Sequence, residues 1–234
     1  MGSDDLHHFK RKKRLERTGR KTREYKDSIL IICEGTETEV RYFQGFPIAN
    51  IKVTTTGVAK SNIALVEDAI RIWKEYADKD EYYERVWCVF DRDDFPLKNY
   101  NQAFEKVLIE QNKLNKKYRK RVEREVKIDI AYSNEAFELW YLLHFDYIAT
   151  ALDRSDYRKM LTQRMGREYK KNDSGMYSFL ERLAQETNNC QGQMFAIQNA
   201  GKLRKTIKDE LKHNHNPSTT VDLLVMELNK YLKQ

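Results

Sequence analysis

The segment Ile29-Leu30-Ile31-Ile32-Cys33-Glu34-Gly35-Thr36-Glu37-Thr38-Glu39 decides how the rest of the chain is interpreted. Its first five residues are apolar and rich in isoleucine, which predicts a strand buried on both faces, as in parallel sheets. The glycine predicts a sharp turn, and Thr36 or Thr38 is predicted to cap a helix that begins near Glu39. Glu34 therefore falls at the carboxyl end of a strand, where open α/β sheets bind their ligands.

A second group of acids follows another predicted strand. Residues 86–90 are apolar and are followed by Asp91-Arg92-Asp93-Asp94. On an extended backbone, Asp91 and Asp93 project from the same face. Carboxylate oxygens are the ligands that Mg²⁺ prefers, so we predict that Glu34, Asp91 and Asp93 share a divalent cation. The alternative is that the acids after residue 90 only initiate a turn.

The segments between and after these strands predict an α/β fold. Strand patterns at 51–57 and 128–132 join those at 29–33 and 86–90, and amphipathic helical patterns lie between them. Alternating strands and helices predict a mainly parallel sheet flanked by helices. Ser133 or Asn134 is predicted to cap a helix from Glu135 to Phe145, and everything after residue 133 is predicted to be helical. We expect a core at residues 27–150 and a helical region at 151–234 packed on it.

The basic charge of the chain is concentrated near its start. The net charge is +7, yet residues 10–26 alone contain ten Lys and Arg against two Glu. Residues 1–26 have almost no apolar side chain after Leu15 and are predicted to form a flexible basic arm or a helix that depends on a partner. Residues 113–127 form a second basic segment, with eight bases and two acids. Such segments commonly contact nucleic acid phosphates, although a solvated tail is an equally good interpretation of the arm.

Several other chemistries find no support in the sequence. There is no Gly-x-x-x-x-Gly-Lys-Ser/Thr loop for ATP and no Gly-x-Gly-x-x-Gly. His213 and His215 lie in a polar turn and are expected to be solvated, whereas His144 ends an apolar helix and is expected to be a structural histidine. The three cysteines are widely spaced, which favours a reducing cytoplasm without disulfides. No apolar run is long enough to cross a membrane.

Taken together, these motifs resemble a known family. Glu34-Gly35 after one strand and Asp91-x-Asp93 after another are similar to the Toprim domain of topoisomerases, primases and OLD-family nucleases. A larger set of sequence blocks narrows the resemblance: Glu34-Gly35 with Thr38-Glu39 and Tyr42-Phe43, Asp91-Arg92-Asp93, Ser133-Asn134 with Phe137-Glu138-Leu139-Trp140 and Leu143-His144-Phe145, and Asn216-Pro217-Ser218-Thr219-Thr220. With these blocks the chain resembles the RloB-like family, which is associated with bacterial phage defence and abortive infection, often beside an AAA-type ATPase.

The resemblance implies a Toprim-like fold and assigns roles to individual residues. It implies that Glu34 is a catalytic acid and that Asp91 and Asp93 bind Mg²⁺, for which Mn²⁺ would substitute. Glu39 matches a second catalytic acid, although it follows Glu34 by five residues where OLD-type nucleases commonly have four. Glu138 is a candidate for catalysis and a second metal site. Lys202 is a weaker candidate, as a base or phosphate-holding group.

Two classes of function follow from these expectations. The first is a Mg²⁺-dependent nuclease that cleaves RNA, such as tRNA, or DNA in an anti-phage system and works with an AAA-type ATPase chain. The second is a non-catalytic nucleic-acid-binding or regulatory subunit of such a complex. The acid set favours the first. For Glu138, the structural alternative is a buried salt bridge to an arginine such as Arg92.

Overall fold

The protein is built around one mainly parallel sheet. The computed structural model describes residues 28–49, 51–60, 62–92, 97–120, 124–207 and 214–233. Within them, five strands pair in the order β2-β1-β3-β4-β5, and only β5 is antiparallel to its neighbour. The strands are β1 (Ser28–Cys33), β2 (Lys52–Gly57), β3 (Arg85–Asp91), β4 (Lys127–Asn134) and β5 (Ser218–Thr219). The predicted α/β class with a mainly parallel, Toprim-like sheet is confirmed.

Helices cover both faces of this sheet and are the main regular structure in the described part of the second half of the chain. The helices in the described residues are α1 (Thr38–Gln44), α2 (Asn62–Asp78), α3 (Leu97–Tyr118), α4 (Glu138–Leu142), α5 (Arg154–Met165), α6 (Met176–Glu186), α7 (Gly192–Thr206) and α8 (Val221–Leu228). A 3₁₀ turn, Asn229–Tyr231, follows α8. None of the described helices is both long and apolar enough to cross a membrane.

Alternating side chains of the buried strands pack into two separate hydrophobic cores, one on each face of the sheet. In β1, Ile29 and Ile31 pack in the core that contains α1 and α4 to α8, whereas Leu30 and Ile32 pack against α2 and α3. This period of two is what an extended strand dictates, and all six residues of β1 are buried. The uninterrupted apolar run predicted from the sequence is therefore a strand covered by helices on both sides.

The chain leaves β1 and β3 on opposite faces of the sheet. After β1, α1 runs on one face and leads to β2, and after β3, α3 runs on the other face and leads to β4. Connections that diverge in this way leave a crevice between the carboxyl ends of the two strands. Glu34 and Asp91 lie at the two sides of this crevice.

The region after residue 133 differs from the prediction. Ser133 and Asn134 do not cap a helix: they end β4 and pair with Thr219 and Ser218 of β5. The helix begins only at Glu138, and no side-chain cap hydrogen bond precedes it. The prediction that everything after residue 133 is helical was wrong because β5 is only two residues long and takes its pairing from β4 rather than from its own pattern.

The first helix also begins without the predicted cap. No side chain caps α1, and the Thr38 hydroxyl instead donates to the Lys171 carbonyl oxygen at 3.0 Å. The contact connects the start of α1 to the segment that follows α5. Several other predictions concern residues outside the described ranges, namely the basic arm 1–26, Asp93, Asp94 and His213, together with residues 121–123 of the second basic segment.

Candidate acidic site at the carboxyl edge of the sheet

Glu34 and Asp91 are held together by the backbone of the crevice. The Glu34 amide donates to the Val89 carbonyl at 2.8 Å, which continues the pairing of β1 with β3 by one residue. The Glu34 carboxylate in turn accepts a hydrogen bond from the Asp91 amide at 3.1 Å. Strand pairing thus fixes the two acids as neighbours, as the sequence predicted from their positions after buried strands.

Glu39 reaches the same place from the first turn of α1. Its side chain folds back over Gly35, so closely that a Cβ atom on that glycine would overlap the Glu39 carboxylate. Glu39 is 6% exposed, so this carboxylate is held inside the protein rather than at its surface. The glycine is therefore needed for the close approach of the Glu39 side chain.

A second glycine, Gly57, supports the same turn from the end of β2. A Cβ atom at this position would come within 2.6 Å of the Thr36 Cα atom and would also overlap the Gly35 carbonyl oxygen. Both obstacles are backbone atoms, which cannot rotate away. The sequence indicated Gly57 only as a strand-ending turn, because contact between the end of β2 and the turn after β1 leaves no local pattern.

Glu138 enters the site from the first turn of α4. It is 3% exposed and lies in a helix whose other residues, Leu139 to Leu142, are all buried, as predicted for a helix that is apolar all round. The Tyr169 hydroxyl donates to Glu138 Oε1 at 3.3 Å, and Arg158 Nε lies 3.6 Å from the same oxygen. The arginine partner is thus Arg158 of α5, and not Arg92 as the structural alternative suggested.

The four acids Glu34, Glu39, Asp91 and Glu138, here called the acid cluster, influence one another electrostatically. Burial raises the pKa of Asp91 well above its usual range, and the charges of Glu39, Glu138 and Glu34 raise it further, while Arg154 opposes them. Burial and Glu138 likewise raise the pKa of Glu39, against the opposing effect of Lys171. Buried carboxylates that repel one another bind a cation or protons more readily than isolated ones.

The chemistry of the acid cluster suits a hard cation. Its members supply only oxygen donors, which is the ligand type that Mg²⁺ and Mn²⁺ take. Within the described ranges, however, no three His, Cys, Asp or Glu side chains lie close enough to hold one ion together. Asp93, the remaining predicted ligand, lies outside those ranges. The donor set therefore fits a divalent cation, and the described residues provide part of its site.

The other predicted site residues lie elsewhere. Lys202 is exposed on α7, with its Nζ atom 6.0 Å from the centre of the Tyr147 ring. Among the described residues, the cations found acting on the acid cluster are Arg154, Arg158 and Lys171. The structure does not bring Lys202 into this group.

The two described histidines that the sequence singled out are both buried. His144 is 1% exposed and its Nδ1 donates to the Trp140 carbonyl at 3.0 Å, in agreement with the prediction of a structural histidine. His215 was expected to be solvated, but it is 5% exposed and lies 3.4 Å from the Tyr132 hydroxyl. That prediction was wrong because the polar turn before β5 packs against β4.

Sequence reasoning missed the cations beside the acid cluster. Arg154 Nη2 lies 3.4 Å from Asp91 Oδ2, and Arg158, four residues later on α5, approaches Glu138. The signal available in the sequence was two arginines one helical turn apart, next to the buried Tyr157 and Leu161. Spacing alone did not indicate that they lie beside acids that are more than sixty and about twenty residues away in the chain.

The fold and the acid cluster together define a class of protein, a Toprim-like α/β protein with acids at the crevice between its first and third strands. The model of the family described as RloB-like protein matches residues 29–228. The chain therefore belongs to the RloB-like family. No curated protein and no solved structure matches it.

Proposed function

We propose that this chain is a Mg²⁺-dependent nuclease that hydrolyses phosphodiester bonds of RNA, such as tRNA, or of DNA. The observation that carries the proposal is the acid cluster, in which four carboxylates, at the ends of β1 and β3 and in the first turns of α1 and α4, act on one another electrostatically at the crevice between β1 and β3. Maintaining such mutual repulsion in a largely buried position is costly unless the charges serve a cation.

Each member of the cluster has a distinct part in this proposal. Glu34, Asp91 and Glu138, together with Asp93, would hold the metal, which supplies charge neutralisation and a water of lowered pKa. The Asp91 amide orients the Glu34 carboxylate, the catalytic acid, through their 3.1 Å hydrogen bond. Glu39, whose pKa is raised by burial, would accept a proton more readily than an ordinary glutamate. We retain Lys202 as a second, weaker candidate for holding phosphate.

The cellular setting is proposed from the family. The chain belongs to the RloB-like family, and the resemblance to that family implies a link with phage defence. We therefore propose that the chain acts in the cytoplasm as an effector of abortive infection with an AAA-type ATPase partner. Full activity of the purified chain should then rise when the ATPase chain and ATP are added, and strong unregulated cleavage by this chain alone would contradict the partnership.

The basic arm is proposed to supply non-specific affinity for nucleic acid. Its residues 10–26 contain ten bases. Each phosphate contact adds roughly 0.9 to the slope of log affinity against log salt on duplex DNA, so deleting residues 1–26 should flatten that slope by several units. An unchanged slope would leave the arm to a protein partner.

A cleavage assay tests the proposal directly. Purified protein is incubated with plasmid, single-stranded DNA and tRNA in Mg²⁺, in Mn²⁺ or in chelator. Cleavage should require the metal and should be lost in Asp91→Asn. The matched control is Asp129→Asn, an aspartate on the neighbouring strand β4 that pairs with Lys127 at 3.1 Å, away from the carboxyl edge of the sheet.

A thermal-shift series with Mn²⁺ separates this proposal from the non-catalytic alternative. The alternative draws on Arg154 and Arg158, which already provide the acid cluster with internal counter-ions. Saturating Mn²⁺ at about 100 times its Kd should stabilise the wild type and Asp129→Asn by roughly 2.7 kcal/mol, and Asp91→Asn much less. Nucleic acid binding without cleavage or metal stabilisation would favour the regulatory subunit.

A further inference from the structure

Helix α5 presents two guanidinium groups to the acid cluster. Arg154 and Arg158 are one helical turn apart, and each approaches a different acid, Asp91 at 3.4 Å and Glu138 at 3.6 Å. The helix is anchored beside them by Tyr157 and Leu161, which are fully buried. The side chains of Arg154 and Arg158 are 29% and 42% exposed, so the two arginines form the boundary between the buried acids and solvent.

These contacts are looser than the buried ion pair between Arg204 and Asp222. Arg204 grips the buried Asp222 with both nitrogens of its fork, at 2.5 and 2.7 Å. Arg158, by contrast, comes closest to Glu138 through Nε, at 3.6 Å, which is beyond hydrogen-bonding distance. That Nε atom is buried, and it has no hydrogen-bond partner among the described residues. A buried donor that lies beside an acid without a hydrogen bond calls for an explanation, and a ligand that draws the arginine into a new position would supply one.

We propose that Arg154 and Arg158 form a phosphate clamp that binds the backbone of the nucleic acid at the acid cluster. The proposal rests on the proposed function and adds residues that bind the substrate. In the protein without metal, the two arginines act as counter-ions of Asp91 and Glu138. The planar guanidinium group of arginine can donate two parallel hydrogen bonds to the two non-bridging oxygens of a phosphodiester, as it can to the two oxygens of a carboxylate.

The position of the clamp gives it a role that the basic arm lacks. A phosphate held by Arg154 or Arg158 lies next to the acids, because these same side chains already contact Asp91 and Glu138. The residues of the arm would bind phosphates anywhere along the nucleic acid, whatever its base sequence. The clamp therefore determines which phosphodiester faces the acid cluster, and the arm contributes overall affinity.

Binding without cleavage provides the main test. Fluorescence anisotropy is measured with a labelled 12-nucleotide single-stranded DNA and the matching RNA, in Ca²⁺, over a salt series. Arg154→Gln and Arg158→Gln should each raise the Kd about tenfold at low salt and lower the salt slope by roughly 0.7. Tighter binding of one probe would show that the protein also recognises the sugar, and equal binding would show that it recognises the phosphate alone. Both results are consistent with the clamp.

The control variant is Lys159→Gln on the same helix. Lys159 loses the same charge but is 77% exposed and pairs with Asp156 at 3.0 Å. Its Kd should stay within about twofold of wild type. Equal losses in Lys159→Gln and Arg158→Gln would overturn the clamp in favour of general attraction. Wild-type affinity and slope in both arginine variants, or no binding of either probe by the wild type, would also overturn it.

Separate experiments distinguish a loss of folding and a lack of nuclease activity from a failure of the clamp. If Arg158→Gln melts early in chelator, Arg158→Lys keeps the charge beside Glu138 but loses the fork, and it should weaken binding with the salt slope unchanged. Wild-type affinity in Arg158→Lys would refute recognition by the fork. Wild-type protein that binds both probes but cleaves none in any metal would refute the nuclease, while the slopes of the variants still decide the clamp.

Discussion

The stability of this protein should fall between pH 7 and pH 5 because of one buried histidine. His144 is 1% exposed, and burial lowers its pKa from 6.5 to about 4, against the opposing effect of the carbonyl of Trp140. The folded protein therefore keeps the ring neutral where the unfolded chain already protonates it. The contribution of His144 to the free energy of unfolding is fully present above pH 6.5 and is lost as the pH falls towards 4.

The size of the effect follows from the two pKa values. With about 4 in the folded protein and 6.5 in the unfolded chain, the free energy of unfolding falls by roughly 2 kcal/mol between pH 7 and pH 5. The loss approaches about 3 kcal/mol below pH 4. Other titrating groups contribute as well, so the histidine must be isolated by comparison with a variant.

The variant His144→Gln can keep the hydrogen bond to the Trp140 carbonyl but does not titrate. Urea unfolding of both proteins is measured in chelator at pH 7, 6 and 5. The stability advantage of the wild type over the variant should shrink by roughly 2 kcal/mol across this range. An advantage that is constant within about 0.5 kcal/mol would refute the reasoning. The folded variant should still cleave nucleic acid, since His144 is predicted to be structural.

Three further predictions concern single residues. Gly57→Ala should destabilise the protein by about 1–3 kcal/mol in urea unfolding, and more than Gly35→Ala, because its new Cβ meets backbone rather than the end of a side chain. Asp222→Asn should lower the free energy of unfolding by about 3 kcal/mol, because it removes the charge of a carboxylate that is 1% exposed and paired with Arg204. An unchanged urea midpoint would show that this pair does not stabilise the protein. Glu138→Gln should abolish cleavage and shift the melting temperature in chelator by less than about 4 °C, whereas early melting with normal cleavage would assign a structural role.

The sequence by itself determined the local elements and the chemistry at their ends. A short, unbroken apolar run rich in β-branched and aromatic residues favours a strand covered on both faces, so β1 and β3 were predictable from residues 29–33 and 86–90. The position of Glu34 and Asp91 after these strands then predicted that they would meet, because parallel strands bring their carboxyl ends to one edge. These inferences need only the residues within one element and the rules of strand pairing.

Only the tertiary structure decided which distant side chains share an environment. The pairing of Ser133 with Thr219, the burial of His215 and the approach of Arg158 to Glu138 all join segments whose own patterns carry no sign of the contact. A glycine is needed at position 57 because the backbone of the turn after β1, at Gly35 and Thr36, leaves no room for a Cβ atom. Local sequence encodes periodicity and turn chemistry, whereas such contacts depend on how whole elements pack, and packing is a property of the folded chain.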